Sequence, residues 1–256
     1  MLKEELVRYT ELLGVESAFV IRDFNTGQTF AHNENLVVPS ASLIKVPVMI
    51  EAFRQMRSGV LDPGLRLSVE PEQIVPFSVL AFLDSSNTYT LLDLIKLMII
   101  YSDNTAANIL IDLLGVGKIN LCIRELGLKE TKLQRKLMDA DARKEGRENL
   151  TTAGEMAELM VRLDRGEIID SNYSRQMMKI MKGQADECMM RVDLPDEITI
   201  ARKSGELENL NHEMSIVYGN RQNYLYVFFV WDARSNNESR QILQRTSKMV
   251  FDHFDK

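Results

Sequence analysis

The residues best suited to chemistry in this chain are a serine and a lysine three positions apart. Ser42 and Lys45 enclose two apolar residues at the start of a longer apolar segment. A serine hydroxyl is a weak nucleophile that needs a neighbouring base. Residues three positions apart share one face of a helix, so a helix here would bring the Lys45 amine within reach of the Ser42 hydroxyl. The pair predicts a nucleophile and its general base.

Two further short motifs follow in order along the chain. Ser102-Asp103-Asn104 comes after an apolar segment, and Lys203-Ser204-Gly205 lies in a segment with strand character. Each motif alone also fits a solvated lysine, a helix cap or a turn, and Ser-x-x-Lys occurs by chance roughly once in a few hundred residues. Together they would surround Ser42 with two lysines and two hydroxyls. Such a pocket suits a substrate with a carboxylate beside its scissile amide, and it would lower the pKa of a desolvated Lys45.

In this order the motifs resemble those of class A β-lactamases and penicillin-binding proteins. The resemblance extends over residues Val38–Met49 and Tyr89–Asn108. It implies a β-lactamase-like serine hydrolase in which Ser42 attacks an amide or ester carbonyl and forms an acyl-enzyme, with β-lactams as the leading substrates. It also implies that Lys45 is the general base and that Ser102 relays a proton.

The resemblance implies a set of substrate contacts as well. Asn104 would contact the substrate amide, and Gly205 would let the substrate lie against its strand. Lys203 and Ser204 would bind the substrate carboxylate. Glu206, which follows Gly205 and belongs to no recognisable pattern, is a further substrate-binding candidate that could tune specificity.

Two further features would complete the cleft. Phe77 lies in a segment, Ile74–Leu80, that looks like the cleft wall of the family. There it would stack on a substrate ring, although an apolar loop residue can also serve packing alone. The backbone N–H of Ser42, at a helix N-terminus, is well placed to help bind an oxyanion.

The loop after the second motif departs from the family. Class A β-lactamases hydrolyse their acyl-enzyme with a loop glutamate that acts through a water. If Arg135 is the usual arginine of this loop, the glutamate position is Leu137. Asp139 and Asp141 could supply a carboxylate instead, or they could belong to an ordinary solvated loop. A slow β-lactamase, a D-alanyl carboxypeptidase or esterase of the same fold, and a penicillin-binding sensor that stays acylated all remain open.

Hydrophobic periodicity predicts the order of elements. Helices are expected at Leu2–Leu13, Ser42–Gly59, Thr90–Ser102, Thr105–Leu114, Val116–Leu126, Thr152–Gly166, Ser171–Lys182 and Glu238–Phe254. Strands are expected at Ser17–Phe24, Gln28–His32, Thr199–Ser204, Glu213–Tyr218 and Leu225–Trp231. The predicted fold class is α+β, with an antiparallel sheet flanked by N- and C-terminal helices and an inserted all-helical lobe. This is also the β-lactamase/transpeptidase-like architecture that the resemblance implies.

The elements divide into two predicted lobes. Residues 1–38 and 191–256 would form a discontinuous sheet lobe, and residues 39–190 would form the helical lobe. The motifs can then meet only in the cleft between the lobes, where small-molecule sites often form.

Composition limits the classes of partner. The chain has 256 residues, of which 45% are hydrophobic and 27% charged, and its formal net charge is -6. The acidic balance opposes nucleic-acid binding. The sequence has no apolar stretch near the roughly 18 residues of a membrane span. The expected partner is therefore a small-molecule substrate, a β-lactam or an acyl-D-amino acid or ester, with a monomer as the default oligomeric state.

Cysteine and histidine give no cofactor or metal signal. Cys122 and Cys188 are too far apart for a zinc motif and too few for a disulfide framework. His212 follows the third motif and could approach the site, but we favour the interpretation that it is a structural histidine. The N-terminus lacks the apolar region of a signal peptide, which predicts a cytoplasmic protein. An exported protein without its signal peptide would look the same.

Overall fold

The computed structural model describes residues 1–185 and 189–254. Its helices are α1 (Leu2–Leu13), α2 (Lys45–Arg57), α3 (Leu91–Ile100), α4 (Asn104–Leu114), α5 (Val116–Glu125), α6 (Ala140–Lys144), α7 (Ala153–Asp164), α8 (Ser171–Met181) and α9 (Asn236–Phe254). Its strands are β1 (Glu16–Asp23), β2 (Thr29–His32), β3 (Val38–Pro39), β4 (Arg66–Ser68), β5 (Thr88–Thr90), β6 (Leu150–Thr151), β7 (Thr199–Leu207), β8 (Leu210–Tyr218) and β9 (Asn223–Trp231). Short 3-10 turns lie at Ala41–Ile44, Pro71–Gln73 and Leu80–Phe82.

Strands from both ends of the chain form one antiparallel sheet. Within the described residues its order is β2-β1-β9-β8-β7. The long β1–β9 pairing, from Glu16 opposite Trp231 to Asp23 opposite Tyr224, joins the first strand to the last one. One face of the sheet packs on α1 and α9 through an apolar cluster, and the other face packs on the inserted helices. The predicted α+β class, with an antiparallel sheet flanked by terminal helices, is confirmed.

The inserted lobe is not purely helical. It contains the two-stranded β4–β5 pair, and β6 pairs with β3. These strands are two or three residues long, too short for hydrophobic alternation to show in the sequence. The lobe boundaries near residues 38 and 190 remain predictions.

The alternation along β7 decides which of its side chains reach the site. Ile200 belongs to the apolar cluster under α9, whereas Ala201 belongs to the cluster shared with the inserted helices. Successive strand residues point to opposite faces. Lys203 and Gly205 therefore lie on the same face as Ala201, toward the helical lobe.

The helix that follows the nucleophile is the central element of that lobe. Almost every residue of α2 between Lys45 and Met56 is buried. A helix buried on all sides cannot shift without disturbing its neighbours. Lys45 is therefore anchored by packing.

No single helix among the described residues is long and apolar enough to cross a membrane; α4 and α5 pass that test only when joined, and they are bent by 87°. Cys122 is buried in the helical lobe, whereas Cys188 lies outside the described residues.

Candidate active site

Ser42 lies in a tight turn rather than in the first turn of a continuous α-helix. The 3-10 turn Ala41–Ile44 precedes α2, which begins at Lys45. Ala41 adopts a left-handed φ of 46°, a conformation that costs free energy for a residue with a Cβ. The Ser40 N–H donates to the backbone oxygen of Asn149 over 2.7 Å. The nucleophile therefore follows a bend that the surrounding structure must hold.

Gly205 of β7 packs directly against this bend. A Cβ added to Gly205 would lie 3.0 Å from the Ala41 Cβ and 3.2 Å from the Ser42 nitrogen. A glycine is therefore needed for the strand to approach the Ser42 peptide so closely. This role differs from the predicted one, in which Gly205 makes room for substrate.

Lys45 lies beneath Ser42 and is fully buried. Its Nζ is 3.1 Å from the Ser42 Oγ. It is also 2.6 Å from the backbone oxygen of Ser102 and 2.7 Å from the Asn104 Oδ1. The Ser102 Oγ lies 3.1 Å away on the same side. The structure thus brings the first two motifs together around one amine.

The surroundings of Lys45 favour its neutral form. Burial is the largest cause that lowers its pKa well below the ordinary value, and the nearby Lys203 ammonium lowers it further. The Asp103 carboxylate acts in the opposite direction. A neutral amine has two protons and one lone pair. The carbonyl oxygens of Ser102 and Asn104 can only accept hydrogen bonds, so they take the two protons and leave the lone pair for a hydroxyl.

Ser102 connects Lys45 to the third motif. Its Oγ lies 3.0 Å from the Lys203 Nζ, and Lys203 also donates to the Ser204 backbone oxygen over 2.7 Å. Lys203 is fully buried. Ser102 itself adopts a left-handed φ of 54°. Its hydroxyl therefore lies between two amines and can pass a proton from one side to the other.

The rest of the second motif holds the cleft wall. The buried Asp103 carboxylate caps α4 through the Ala106 N–H, and it accepts from Ser78 Oγ and from the N–H groups of Val79 and Leu80. A single carboxylate thus fixes both the helix start and the neighbouring loop.

Phe77 lies on that loop and reaches the cleft. The Asn104 N–H donates to the Phe77 backbone oxygen over 3.2 Å, and the Asn104 Nδ2 donates to the Pro76 oxygen over 3.0 Å. Phe77 has a φ of 58°, and 79% of the residue is exposed. The loop thus holds a large aromatic side chain in solvent at the edge of the cleft.

The cleft has a volume of about 570 Å³. Much of its surface is apolar. Of the predicted site residues, those that line it are Ser42, Phe77, Ser102, Asn104, Asp139, Ser204 and Glu206. Lys45 and Lys203 lie below this surface. Lys45 contacts the Oγ atoms of Ser42 and Ser102, and Lys203 contacts the Oγ of Ser102.

Two predicted binding residues already have protein partners. The Ser204 Oγ lies 2.9 Å from the side-chain amide of Gln184. The Glu206 carboxylate accepts from Asn211 Nδ2 over 2.9 Å and from Arg240 Nε over 3.0 Å. Glu206 is thus paired with a cation of α9 at the cleft edge.

The loop after the second motif places an apolar side chain at the cleft. Leu137 lines the cleft, and Asn108 holds its backbone from both sides, with bonds of 2.8 Å to its N–H and 3.0 Å to its oxygen. Arg135 and Glu148 form a largely buried ion pair of 2.7 Å that closes the base of the loop. The loop is therefore ordered by specific bonds, and it presents the apolar Leu137 side chain to the cleft.

The two candidate replacement carboxylates lie in different places. Asp139 lines the cleft, and its Oδ1 accepts from the Ala142 N–H over 2.9 Å as the cap of α6. The Asp141 side chain is 87% exposed and pairs with Lys144. The structure brings Asp139 to the cleft but does not bring Asp141 there.

Several residues that line the cleft were not predicted from the sequence. They are Tyr101, Met138, Arg143, Glu208 and Asn236. Tyr101 adjoins the second motif, so its position beside Ser102 was the available signal. Asn236 reaches the cleft only because α9 begins beside the β7–β8 turn, where it bonds Asn209 and Leu207. No local pattern carries that information.

Comparison with known proteins agrees with the geometry. Residues 2–254 match the model of the beta-lactamase enzyme family. The chain belongs to the beta-lactamase enzyme family. It is accordingly a serine hydrolase, and the family acts on small-molecule β-lactams.

Three similar proteins illustrate the range of that family. A beta-lactamase from Rhodobacter capsulatus is 26% identical over 221 residues, which cover 84% of this chain and 75% of that protein. The crystal structure of a beta-lactamase from Sphaerobacter thermophilus DSM 20745 superimposes with a TM-score of 0.89 at 24% identity, covering 98% of this chain and 96% of that one. The structure of PBP-A gives a TM-score of 0.88 at 25% identity, with 99% and 95% covered. A leucine-to-glutamate variant of PBP-A has been solved as an acyl-enzyme complex with penicillin G.

Proposed function

We propose that this member of the family opens β-lactams through an acyl-Ser42 intermediate and hydrolyses that intermediate slowly. The observation that carries the proposal is the position of the Lys45 amine. It is fully buried, lies 3.1 Å from the Ser42 Oγ, and has two acceptor-only oxygens for its protons. Such an amine can accept the serine proton at neutral pH.

Acylation then follows from the bonds around Ser42. As the Ser42 Oγ attacks the lactam carbonyl carbon, its proton passes to the Lys45 Nζ. The Ser42 N–H helps to stabilise the developing oxyanion. When the ring C–N bond breaks, the leaving nitrogen takes a proton from the Ser102 hydroxyl, which Lys45 replenishes across 3.1 Å. Protons and electrons balance, and Ser42 ends as an ester.

Substrate binding uses the groups around this centre. Lys203 and Ser204 attract the substrate carboxylate. The Asn104 Nδ2 uses one proton on Pro76 and has a second proton for a substrate amide oxygen. Phe77 covers the acyl side chain, and Glu206, paired with Arg240, shapes the far end of the cleft.

Slow deacylation is proposed from the loop at Leu137. An apolar side chain cannot activate a water, and Asp139 already serves as the cap of α6. An aspartate is also one methylene shorter than a glutamate, and a misplacement of about 1 Å can cost on the order of a hundredfold in rate. The likeness to PBP-A, which has been solved as a penicillin G acyl-enzyme in a leucine-to-glutamate variant, supports the formation of a penicillin adduct.

The apolar side chain of Leu137 at the cleft also favours a second candidate function. If water never clears the ester, the protein is a penicillin-binding acyl-enzyme or sensor that reacts once. A D-alanyl carboxypeptidase or esterase would instead turn over acyl-D-amino acids or small esters faster than penicillins.

Time-resolved intact-protein mass spectrometry with penicillin G tests the proposal. In wild type we expect an adduct of one penicillin per chain that decays while ring opening continues. Ser42→Ala should form no adduct, and an adduct in that variant would refute the proposal. An adduct that never decays would identify the sensor, and ester turnover without any adduct would identify the esterase.

A second variant, Asp139→Asn, asks whether Asp139 acts in deacylation. Asp139→Asn keeps an acceptor for the α6 cap but has no basic carboxylate. The adduct should decay at the wild-type rate if Asp139 only caps the helix. Slower decay in Asp139→Asn would make Asp139 the deacylating base.

A further inference from the structure

We propose that His212 is a positioning residue for acyl transfer, because its Nε2–H donates to the Pro39 backbone oxygen and so holds the Ser42 bend against β8. The inference rests on the proposed function, since positioning is read out through acylation of Ser42. It goes beyond the structural role expected from the sequence.

His212 is built into the sheet directly under the site. It is fully buried on β8 and lies opposite Gly205 of β7 in the strand register. Its ring stacks on Phe229 of β9, with 4.2 Å between ring centroids. Its Nε2 is 3.0 Å from the Pro39 oxygen. The ring is therefore rigidly placed between the sheet and the segment that leads to Ser42.

This contact makes β7 and β8 a joint support for the bend. Gly205 packs under the Ser42 nitrogen at one end of the Pro39–Ser42 segment. His212, its register partner, contacts the segment at the other end. Between them Ala41 has a left-handed φ of 46°. A strained backbone persists only where its surroundings over-determine it, and these two contacts define the bend from the sheet side.

The opposite side of the segment is held by the candidate deacylation loop. The Ser40 N–H donates to the Asn149 oxygen over 2.7 Å. The side chain of Asn149 in turn accepts from the N–H groups of Gln134 and Arg135, with bonds of 2.8 Å and 3.0 Å. Losing the His212 bond would remove one of the two contacts that hold the segment from the sheet side, while the Gly205 contact and the bond to this loop would remain. We expect the Ser42 N–H and Oγ to shift as a result.

The protonation state of the ring fits a fixed donor. Burial lowers the pKa of His212 to about 4, although the facing oxygens of Asn211 and Pro39 oppose that shift. At neutral pH the ring therefore carries one proton. The Nδ1 lies 3.0 Å from the Asn211 oxygen, so the proton could stabilise either contact. We place the ring proton on Nε2, where it bonds the Pro39 oxygen.

Two variants of similar size separate positioning from packing. His212→Gln puts an amide N–H close to the former Nε2, whereas His212→Met fills the space without a donor. We expect His212→Met to lower the acylation rate constant with penicillin G by about 10- to 100-fold. Affinity for the non-covalent complex should change by less than about threefold. His212→Gln should restore at least part of the rate.

A structural control comes from the other face of the sheet. Tyr226→Phe removes buried hydrogen bonds to Thr246 and the Leu243 oxygen without touching the Ser42 bend. It should lower the free energy of unfolding but leave the acylation rate constant unchanged. Equal acylation rates in wild type and His212→Met would overturn the proposal. Equal loss in the Gln and Met variants would also overturn it, because only packing would then be at stake.

Nitrogen-15 NMR of the histidine rings gives a readout that does not need activity. His212→Gln identifies the resonances of this residue among the three histidines. We expect a neutral ring protonated at Nε2 at pH 7. A ring protonated at Nδ1 would refute the proposed bond even if the folded Met variant could not be obtained. If wild type forms no acyl-enzyme, the proposed function fails, while the NMR result still decides the bond.

Discussion

Lys45 is the residue on which the proposed chemistry depends, because its lone pair must be free at neutral pH. Burial and the neighbouring Lys203 both hold its pKa low. The oxygens of Ser102 and Asn104 fix the direction of its protons. The base is therefore defined by its surroundings rather than by the Ser-x-x-Lys spacing alone.

The pH profile should reflect this amine. Protonated Lys45 cannot accept the Ser42 proton, so kcat/KM for penicillin G should fall as pH decreases through the lowered Lys45 pKa. Lys45→Met should cut the acylation rate by orders of magnitude and remove this acid limb from any residual activity. Stopped-flow acylation from pH 4.5 to 9 checks both. An acid limb that survives unchanged in Lys45→Met would assign it to another group.

His212 should make the stability of the fold depend on pH. Its folded pKa of about 4 lies below the ordinary value of 6.5. As pH falls below 6.5 the unfolded chain gains a proton that the folded ring does not. The contribution of His212 to the free energy of unfolding should therefore be fully present above pH 6.5. About 3 kcal/mol should be lost as pH falls from 6.5 through 4.

Urea unfolding of wild type and His212→Gln between pH 8 and pH 4 isolates this contribution. The difference in free energy of unfolding between the two proteins should narrow toward low pH. A constant difference would mean that the ring titrates normally.

The residue types of the site were predictable, but their bonds were not. Ser42, Lys45, Ser102 and Lys203 could be singled out from three short motifs and the family resemblance. The sequence could not show that Glu206 pairs with Arg240 on α9, because that contact joins residues 34 positions apart. The sequence also could not show that Asp139 lines the cleft whereas Asp141 lies in solvent, because that difference depends on how the loop packs against the rest of the fold.

The elements that carry the nucleophile form one packed unit. The 3-10 turn at Ala41–Ile44 lies over Gly205 of β7. The residues before the turn form β3, which pairs with β6. Periodicity predicted a helix from Ser42 to Gly59 because apolar spacing is similar in 3-10 and α geometry over one turn. No sequence pattern indicates that Ala41 adopts the left-handed conformation that shapes the bend.

Gly205→Ala should disturb this unit without straining its own strand. The new Cβ would press on the Ala41 Cβ at 3.0 Å and on the Ser42 nitrogen at 3.2 Å. Acylation should slow by about 10-fold or more. Adding Ala41→Gly removes the closer contact and suits the left-handed φ, so the double variant should recover part of the rate. Acylation and unfolding measurements on the single and double variants check this. No recovery would place the obstruction at the Ser42 nitrogen.

The loop that carries Leu137 should accept a base. Asn108 fixes the backbone at this position, so the Leu137→Glu carboxylate would be held toward the cleft. We expect the acyl-enzyme lifetime to shorten by at least about 10-fold, because general-base catalysis typically contributes 10²–10⁴. Leu137→Gln has the same shape without the base and should keep the wild-type lifetime. Similar lifetimes in both variants would show that the loop does not position a water.

The whole molecule explains why the site lies where it does. The segments that connect the inserted helices supply Ser42 and Ser102, and the sheet built from both chain ends supplies Lys203. The predicted class followed from a change in periodicity along the chain. Prediction failed for the short strands and for the start of β8, which lies at Leu210 rather than Glu213. Polar Asn211 and His212 look unlike a strand, but their buried side chains find hydrogen-bond partners in Glu206, Ser239 and the Pro39 backbone oxygen.

The central claim is that Ser42 is acylated faster than the ester is hydrolysed. Stopped-flow ring opening of penicillin G, at several enzyme concentrations, tests it most directly. We predict a burst of one equivalent of opened ring per chain, followed by a much slower steady rate, with no burst in Ser42→Ala. Fast linear opening without a burst in wild type, or a burst that persists in Ser42→Ala, would contradict the account.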